Sequence, residues 1–221
     1  MARKIQSEKT KANILTVSEK LFIEKGYEKT TTQEIVDITG LSKGTVFHHF
    51  KSKEDILLAV LALHLDSMMQ ELDSCLASMD GLTAKEKLMR IFGEYDTMAD
   101  SEKENLLFKM AIATQSPHII VADMKKWHTE VAPIVAELIR EGIADGSITT
   151  DFPDECAQLF VLLCTIWTDP VTLKCDAQAM YRRLQFIQHT MRVLGVDIVS
   201  DAFIESGMKF IESFMLDKSL D

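Results

Sequence analysis

The sequence predicts an all-α fold: a small three-helix head containing a helix-turn-helix, followed by a C-terminal helical bundle. Three observations carry this. Only four prolines and nine glycines interrupt 221 residues, so long helices can run unbroken. Apolar residues recur at helical spacing, while valine and isoleucine are dispersed rather than gathered into alternating runs. Capping residues stand where periodic stretches begin, and glycines stand where several of them end.

The elements follow in order. A first helix is expected over Glu8–Lys25, with Ile14, Val17 and Leu21 sharing a broad stripe with Leu15 and Phe22. Gly26 stops it, and Tyr27 then folds back onto Phe22. Thr31-Thr32-Gln33-Glu34 reads as a capping box opening a short second helix, which Gly40 closes. Ser42 caps a third helix and Ser52 a long fourth, on which Ile56, Val60 and Leu63 fall at helical spacing. Further helices are expected at 83–98, 102–115, 117–145 with a bend at Pro133, 153–168, 176–194 and 200–216. The head is placed at 1–53 and the bundle at 54–221, the fourth helix running from one into the other.

Net charge is −10, which by itself speaks against a nucleic-acid partner. The charge is unevenly spread. Residues 1–53 hold ten Lys or Arg against six Asp or Glu, a net of +4, and the remainder carries −14. A basic end on an acidic body is the asymmetry expected when that end meets DNA. Cys75, Cys156, Cys164 and Cys175 show no zinc-ligand spacing and read as reduced, mostly buried residues of a cytoplasmic protein. No apolar signal-peptide core follows Arg3-Lys4. The longest apolar stretch, Ala157–Trp167, falls short of the ~20 residues a bilayer requires, so no membrane role is expected.

Residues 31–50 are the informative stretch. Ile35, Ile38, Leu41, Val46 and Phe50 are expected to pack inward, with Gly40 supplying a left-handed turn between two short helices. Lys43, Thr45, Phe47, His48 and His49 then form the outward face of the second helix. Donors and a flat ring on a short helix suit base edges and groove walls. Helix N-termini near Thr31, Ser42 and Ser52 add backbone N–H groups and a positive dipole end for phosphates, with Lys51 and Lys53 flanking the third. Arg3, Lys4, Lys9 and Lys11 could reach phosphate or the minor groove, or form a solvated tail. Adjacent His48 and His49 point to different faces and have no third ligand, so no metal is expected.

Over about residues 8–60 the chain resembles the DNA-binding domain of the TetR family of transcriptional regulators. The resemblance rests on Leu21-Phe22, Lys25-Gly26-Tyr27, Thr31-Thr32, Ile35, Gly40-Leu41-Ser42-Lys43-Gly44-Thr45, His48-His49-Phe50-Lys51-Ser52-Lys53 and Glu54-Asp55. It implies phosphate contacts from Thr31, Thr32 and Lys53, and base or phosphate contacts from Lys43 and Thr45. Phe47, His48 and His49 would press on the backbone and groove wall. With Ser42 and Lys51, these make up the expected interface. The family usually carries tyrosine where Phe47 stands. The ring is kept and the hydroxyl donor lost, which implies weaker or differently registered binding.

The resemblance also implies that the C-terminal helices bind a small effector and dimerise. The stretch 156–167 is apolar nearly all round, and Met180, Leu184, Ile187, Met191 and Leu194 recur at helical spacing. Such helices either form a four-helix interface between two subunits or fill the core of one chain. Phe160, Leu163, Trp167, Leu184, Ile187 and Met191 are the dimer candidates. Phe92, Tyr95, Met98, Phe108, Trp127, His128 and Trp167 are the pocket candidates.

The expected function is a ligand-responsive regulator, foremost a repressor, that binds a palindromic double-stranded DNA operator as a homodimer. An unidentified small-molecule effector would release it by shifting the population of head positions. An activator or other non-repressive regulator is the alternative. An enzyme or a protein-interaction module is a remote one: no G-x-S-x-G, Walker loop, H-E-x-x-H or E-x-x-H pattern occurs, and no cofactor is implied. His118 and His128, near Asp123 and Glu130, could line a polar pocket or a solvated face.

Overall fold

The computed structural model describes residues 2–93, 114, 116–169 and 173–215, and all regular structure among them is helical. The head comprises α1 (Ala2–Lys25), α2 (Thr32–Thr39) and α3 (Lys43–His49). From it runs α4 (Lys53–Ala77), followed by α5 (Ala84–Gly93). The body continues with α6 (Pro117–Lys126), α7 (Ala132–Asp145), α8 (Pro153–Leu162), α9 (Ala177–Val193) and α10 (Asp201–Met215). The helix expected at 102–115 and the end of the one at 83–98 lie outside the described residues.

Glycine and capping chemistry set the head's turns. Gly26 (φ 85°) and Gly40 (φ 67°) take left-handed conformations that a side chain would strain. Thr31, Ser42 and Ser52 each accept a backbone N–H from three residues on, as N-caps do. The first helix begins at Ala2 rather than Glu8, because Ala2–Gln6 contains nothing that breaks a helix. The basic residues Lys4, Lys9 and Lys11 are therefore carried on a helix rather than on an extended arm.

The bend expected at Pro133 is a π-helical turn at Trp127–Val131. Ala132 donates its N–H to the Trp127 carbonyl, five residues back, and Pro133 has no N–H to restore the i−4 ladder. A second π turn, Leu163–Trp167, extends α8, with Thr168 donating to the Leu163 carbonyl at 3.2 Å.

Two cores result. Ile14, Phe22, Ile35, Val46 and Phe50 fill the head's core, joined by Ile56, Leu57 and Val60 from the start of α4. Ile119, from the first turn of α6, is 1% exposed and belongs to this same cluster. The body's core gathers α7, α8 and α9 around Ile139, Phe160, Met180 and Ile187.

Two expectations are corrected. Ile38 does not pack inward but is 60% exposed. Ile35, Val36 and Thr39 define the covered side of α2, and at 100° per residue Ile38 lies roughly 110° from its middle. Phe160, Leu184, Ile187 and Met191 are not dimer-face residues. Each is nearly or wholly buried within one chain, because α9 spends its apolar stripe on α8 and α10. The outward side of α9 instead exposes Tyr181, Phe186 and Val193. Leu163 and Trp167 are half-buried. All four cysteines are free thiols, and burial pushes Cys164 far above the usual thiol range. Among the described residues, no helix is long and apolar enough to cross a membrane.

Candidate nucleic-acid interface

The interface begins at the start of α2. The Thr31 hydroxyl accepts the Glu34 N–H at 3.2 Å, and the Glu34 carboxylate accepts the Thr31 N–H at 2.9 Å. The Lys25 ammonium pairs with that carboxylate from the end of α1. Together these hold Glu34 down at about 2, with the Lys25 contact the foremost cause. Thr31 is exposed and Thr32 half-exposed at a helix start whose backbone N–H groups face outward.

On α3, Val46 and the following Phe50 turn into the core and leave the opposite face open. Ser42 accepts the Thr45 N–H at 3.1 Å, and the two hydroxyls lie 2.8 Å apart. That contact fixes the Thr45 rotamer at the N-terminal end of the helix. Lys43 is exposed, its ammonium 5.8 Å from the Phe47 ring centroid. His48 is exposed and His49 half-buried, their rings edge-on at 5.6 Å. No group of three metal-ligating side chains occurs among the described residues.

The loop into α4 carries the remaining basic residues. Lys51 is exposed. Its N–H bonds to Asp55 at 3.0 Å, and its ammonium donates to the Phe47 carbonyl at 3.1 Å, closing the C-terminal end of α3. Lys53, expected to contact phosphate, is turned into the chain. Its ammonium reaches back over the Tyr27 ring, 4.0 Å from the centroid, and donates to the carbonyls of Tyr27 and Thr30 at 2.8 and 3.1 Å. The buried loop offers it acceptors that solvent-facing Lys43 does not have.

The expected face is thus assembled. Thr31, Thr32, Ser42, Lys43, Thr45, Phe47, His48, His49 and Lys51 flank one surface formed by α2, α3 and the start of α4. Its chemistry is donors, positive charge and three rings, which suits a polyanion with readable edges.

The pocket candidates are not brought together in the same way. Phe92 stacks on Phe160 at 4.7 Å and on Phe203 at 6.5 Å, as part of the core. Trp127 is half-buried against the body core, while His128, its neighbour on the helix, is exposed. Trp167 lies against Arg183 and Phe186 of α9, at 5.7 and 5.5 Å. Tyr95, Met98 and Phe108 lie outside the described residues. His118 and His128 are both exposed, as on a solvated face.

Two placements escaped the sequence reading. Asp123 bonds to the Trp127 side chain one turn on, and burial raises its carboxyl to about 6. The i, i+4 spacing of acid and indole was a usable signal. Ile119 inserts into the head core from a distant part of the chain, and no local pattern marks that.

Residues 14–60 match the family model described as bacterial regulatory proteins, tetR family. The HTH-type transcriptional repressor KstR2 of Rhodococcus jostii is 25% identical over 158 residues, 71% of this chain and 76% of that protein. The HTH-type transcriptional regulator QacR of Staphylococcus aureus is 46% identical over 61 residues, 28% of this chain and 32% of that one. The crystal structure of RolR in complex with resorcinol shares the fold, with a TM-score of 0.62 at 18% identity, covering 95% of each chain. The capped helix-turn-helix at 31–50, its basic outer face and these likenesses agree: residues 14–60 form a tetR-type helix-turn-helix domain.

Proposed function

We propose that this chain is a ligand-responsive repressor that binds a palindromic operator as a homodimer and releases it when a small molecule enters the body. The observation that carries the reading is the open face of α3. Lys43 and Thr45 stand at its N-terminal end, and its inner side is fully committed to the core. A single seven-residue helix reads few base pairs, so two heads related by a two-fold axis are required. The exposed side of α9, with Tyr181, Phe186 and Val193, is the surface best suited to a second copy. KstR2 is named a repressor, and RolR was crystallised with a small aromatic ligand, which supports both halves of the proposal.

The route from ligand to DNA runs through α6. One end carries Asp123 and abuts Trp127 and its π turn. The other end places Ile119 in the head core and His118 3.8 Å from Asp55. Lys126 also ties this helix to α4 through Asp66 at 3.0 Å. A ligand that moves the Trp127 end therefore displaces a member of the head's own core. The role is regulatory rather than enzymatic.

Footprinting on the promoter region adjoining the chain's own gene tests the proposal, together with a reporter driven by that promoter. Two protected half-sites about one helical turn apart and lowered reporter output are expected. A single protected half-site would contradict the dimer, and raised output would contradict repression.

A further inference from the structure

From the placement of Lys53, we infer that this residue does not contact phosphate but positions the phosphate-facing start of α2. The inference rests on the DNA-binding reading above. An ammonium has three N–H groups. Three carbonyl oxygens surround this one: Tyr27 at 2.8 Å, Thr30 at 3.1 Å and Glu28 at 3.5 Å. The Tyr27 ring covers it at 4.0 Å. Its donors are spent within the chain. Lys51, by contrast, places its ammonium on the single Phe47 carbonyl, which leaves donors for a phosphate.

The carbonyls that Lys53 gathers belong to the loop joining α1 to α2. Thr30 is 1% exposed, with its own hydroxyl turned back to the Gly26 carbonyl at 2.9 Å. Thr31, the N-cap of α2, follows directly. Tying this loop to the first turn of α4 fixes where the N–H groups of α2 point. It also fixes how far α2 stands from α3, which leads into α4 from the other side. Burial lowers the Lys53 ammonium from the usual lysine range, as expected for a charge drawn out of water. Tyr27 responds oppositely: burial, with Glu54 and Glu28 nearby, pushes its hydroxyl up to about 12.

Salt dependence separates the two roles. Each phosphate contact contributes roughly 0.9 to the slope of log affinity against log salt. Wild type, Lys51→Met, Lys53→Met and Lys53→Arg would be titrated on one operator fragment between 50 and 200 mM salt, with melting curves for each. Lys51→Met is expected to lower the slope by roughly 0.9 per subunit. Lys53→Met is expected to keep the wild-type slope and to bind about tenfold more weakly at every salt, the loss of one charge-assisted contact. Lys53→Arg keeps the charge if the methionine variant does not fold. Its planar fork cannot meet three converging carbonyls, so it too should bind more weakly at unchanged slope. A lowered slope in Lys53→Met, or wild-type or tighter binding by Lys53→Arg, overturns the inference in favour of a phosphate contact. Unchanged affinity with only a lowered melting temperature overturns it in favour of a purely structural lysine. A wild-type chain that binds no fragment specifically contradicts the DNA-binding reading, and the inference with it.

Discussion

One carboxylate of the head and one of the body are shifted in opposite directions. In the head, Glu34 sits at a helix start, held charged by Lys25 and by Thr31, and is lowered to about 2. In the body, Asp123 is half-buried beside Trp127 and raised to about 6. The head's turns are set by short-range polar geometry, with caps, left-handed glycines and an ammonium over a ring placed around its small apolar core. The body gathers the larger apolar core, and Asp123 is bonded to Trp127, which packs against that core. The difference is one of setting: a helix start with a cation beside it favours the charged carboxylate, and burial disfavours it.

The sharpest way to break this comparison is Ile119, which lies in the body's sequence but the head's core. Ile119→Ala should cost about 2–5 kcal/mol and loosen α2 and α3 first, measured as faster amide exchange at Ile35 and Val46. Exchange confined to α7 and α8 would show that the two cores do not share it. Next in size, Lys43→Ala and Thr45→Ala should each cost roughly 1–3 kcal/mol of operator affinity while leaving the melting temperature in place. Gly40→Val should cost about 1–2 kcal/mol of stability through backbone strain alone, since no atom lies within 4 Å of the added Cβ. Restored stability in Gly40→Asn would confirm that cause.

The smallest effects are in pH, and they have opposite signs. Asp123 titrates at about 6 when folded and at an ordinary 3.8 when unfolded. As pH falls from 7 through 6, the folded chain takes up a proton that the unfolded chain does not, so this group adds stability on acidification. Asp123→Asn should remove that gain. Glu34 has the reverse order, about 2 folded against 4.5 unfolded. Its contribution is complete above 4.5 and is lost as pH falls towards 2, and Glu34→Gln should flatten that loss. Melting curves across pH 2–7 report both.

The head was readable because its signals are local. Thr31, Gly40, Ser42 and Ser52 each act within four residues, so their spacing is their structure. Where the head misled, the cause was orientation. Ile38 is apolar and stands next to the covered stripe, but lies just beyond its edge. The body was readable only in outline. Met180, Leu184, Ile187 and Met191 announced a buried side of α9, yet spacing cannot say whether the same chain or a second one covers it. Lys53 and Ile119 were beyond reach for a related reason. Their partners are 23–26 residues away and in a separate element, respectively, and only the folded chain brings them together.

The most direct test of the central claim, that α3 reads DNA, is fluorescence anisotropy on the adjoining promoter fragment with excess competitor DNA. Wild type and the Lys43→Ala/Thr45→Ala double variant would be compared from 50 to 200 mM salt. Wild-type binding should survive competitor and fall steeply with salt, and the double variant should lose its preference for the fragment while keeping its fold. Salt-insensitive binding, or a double variant that still prefers the fragment as strongly as wild type, would contradict the account.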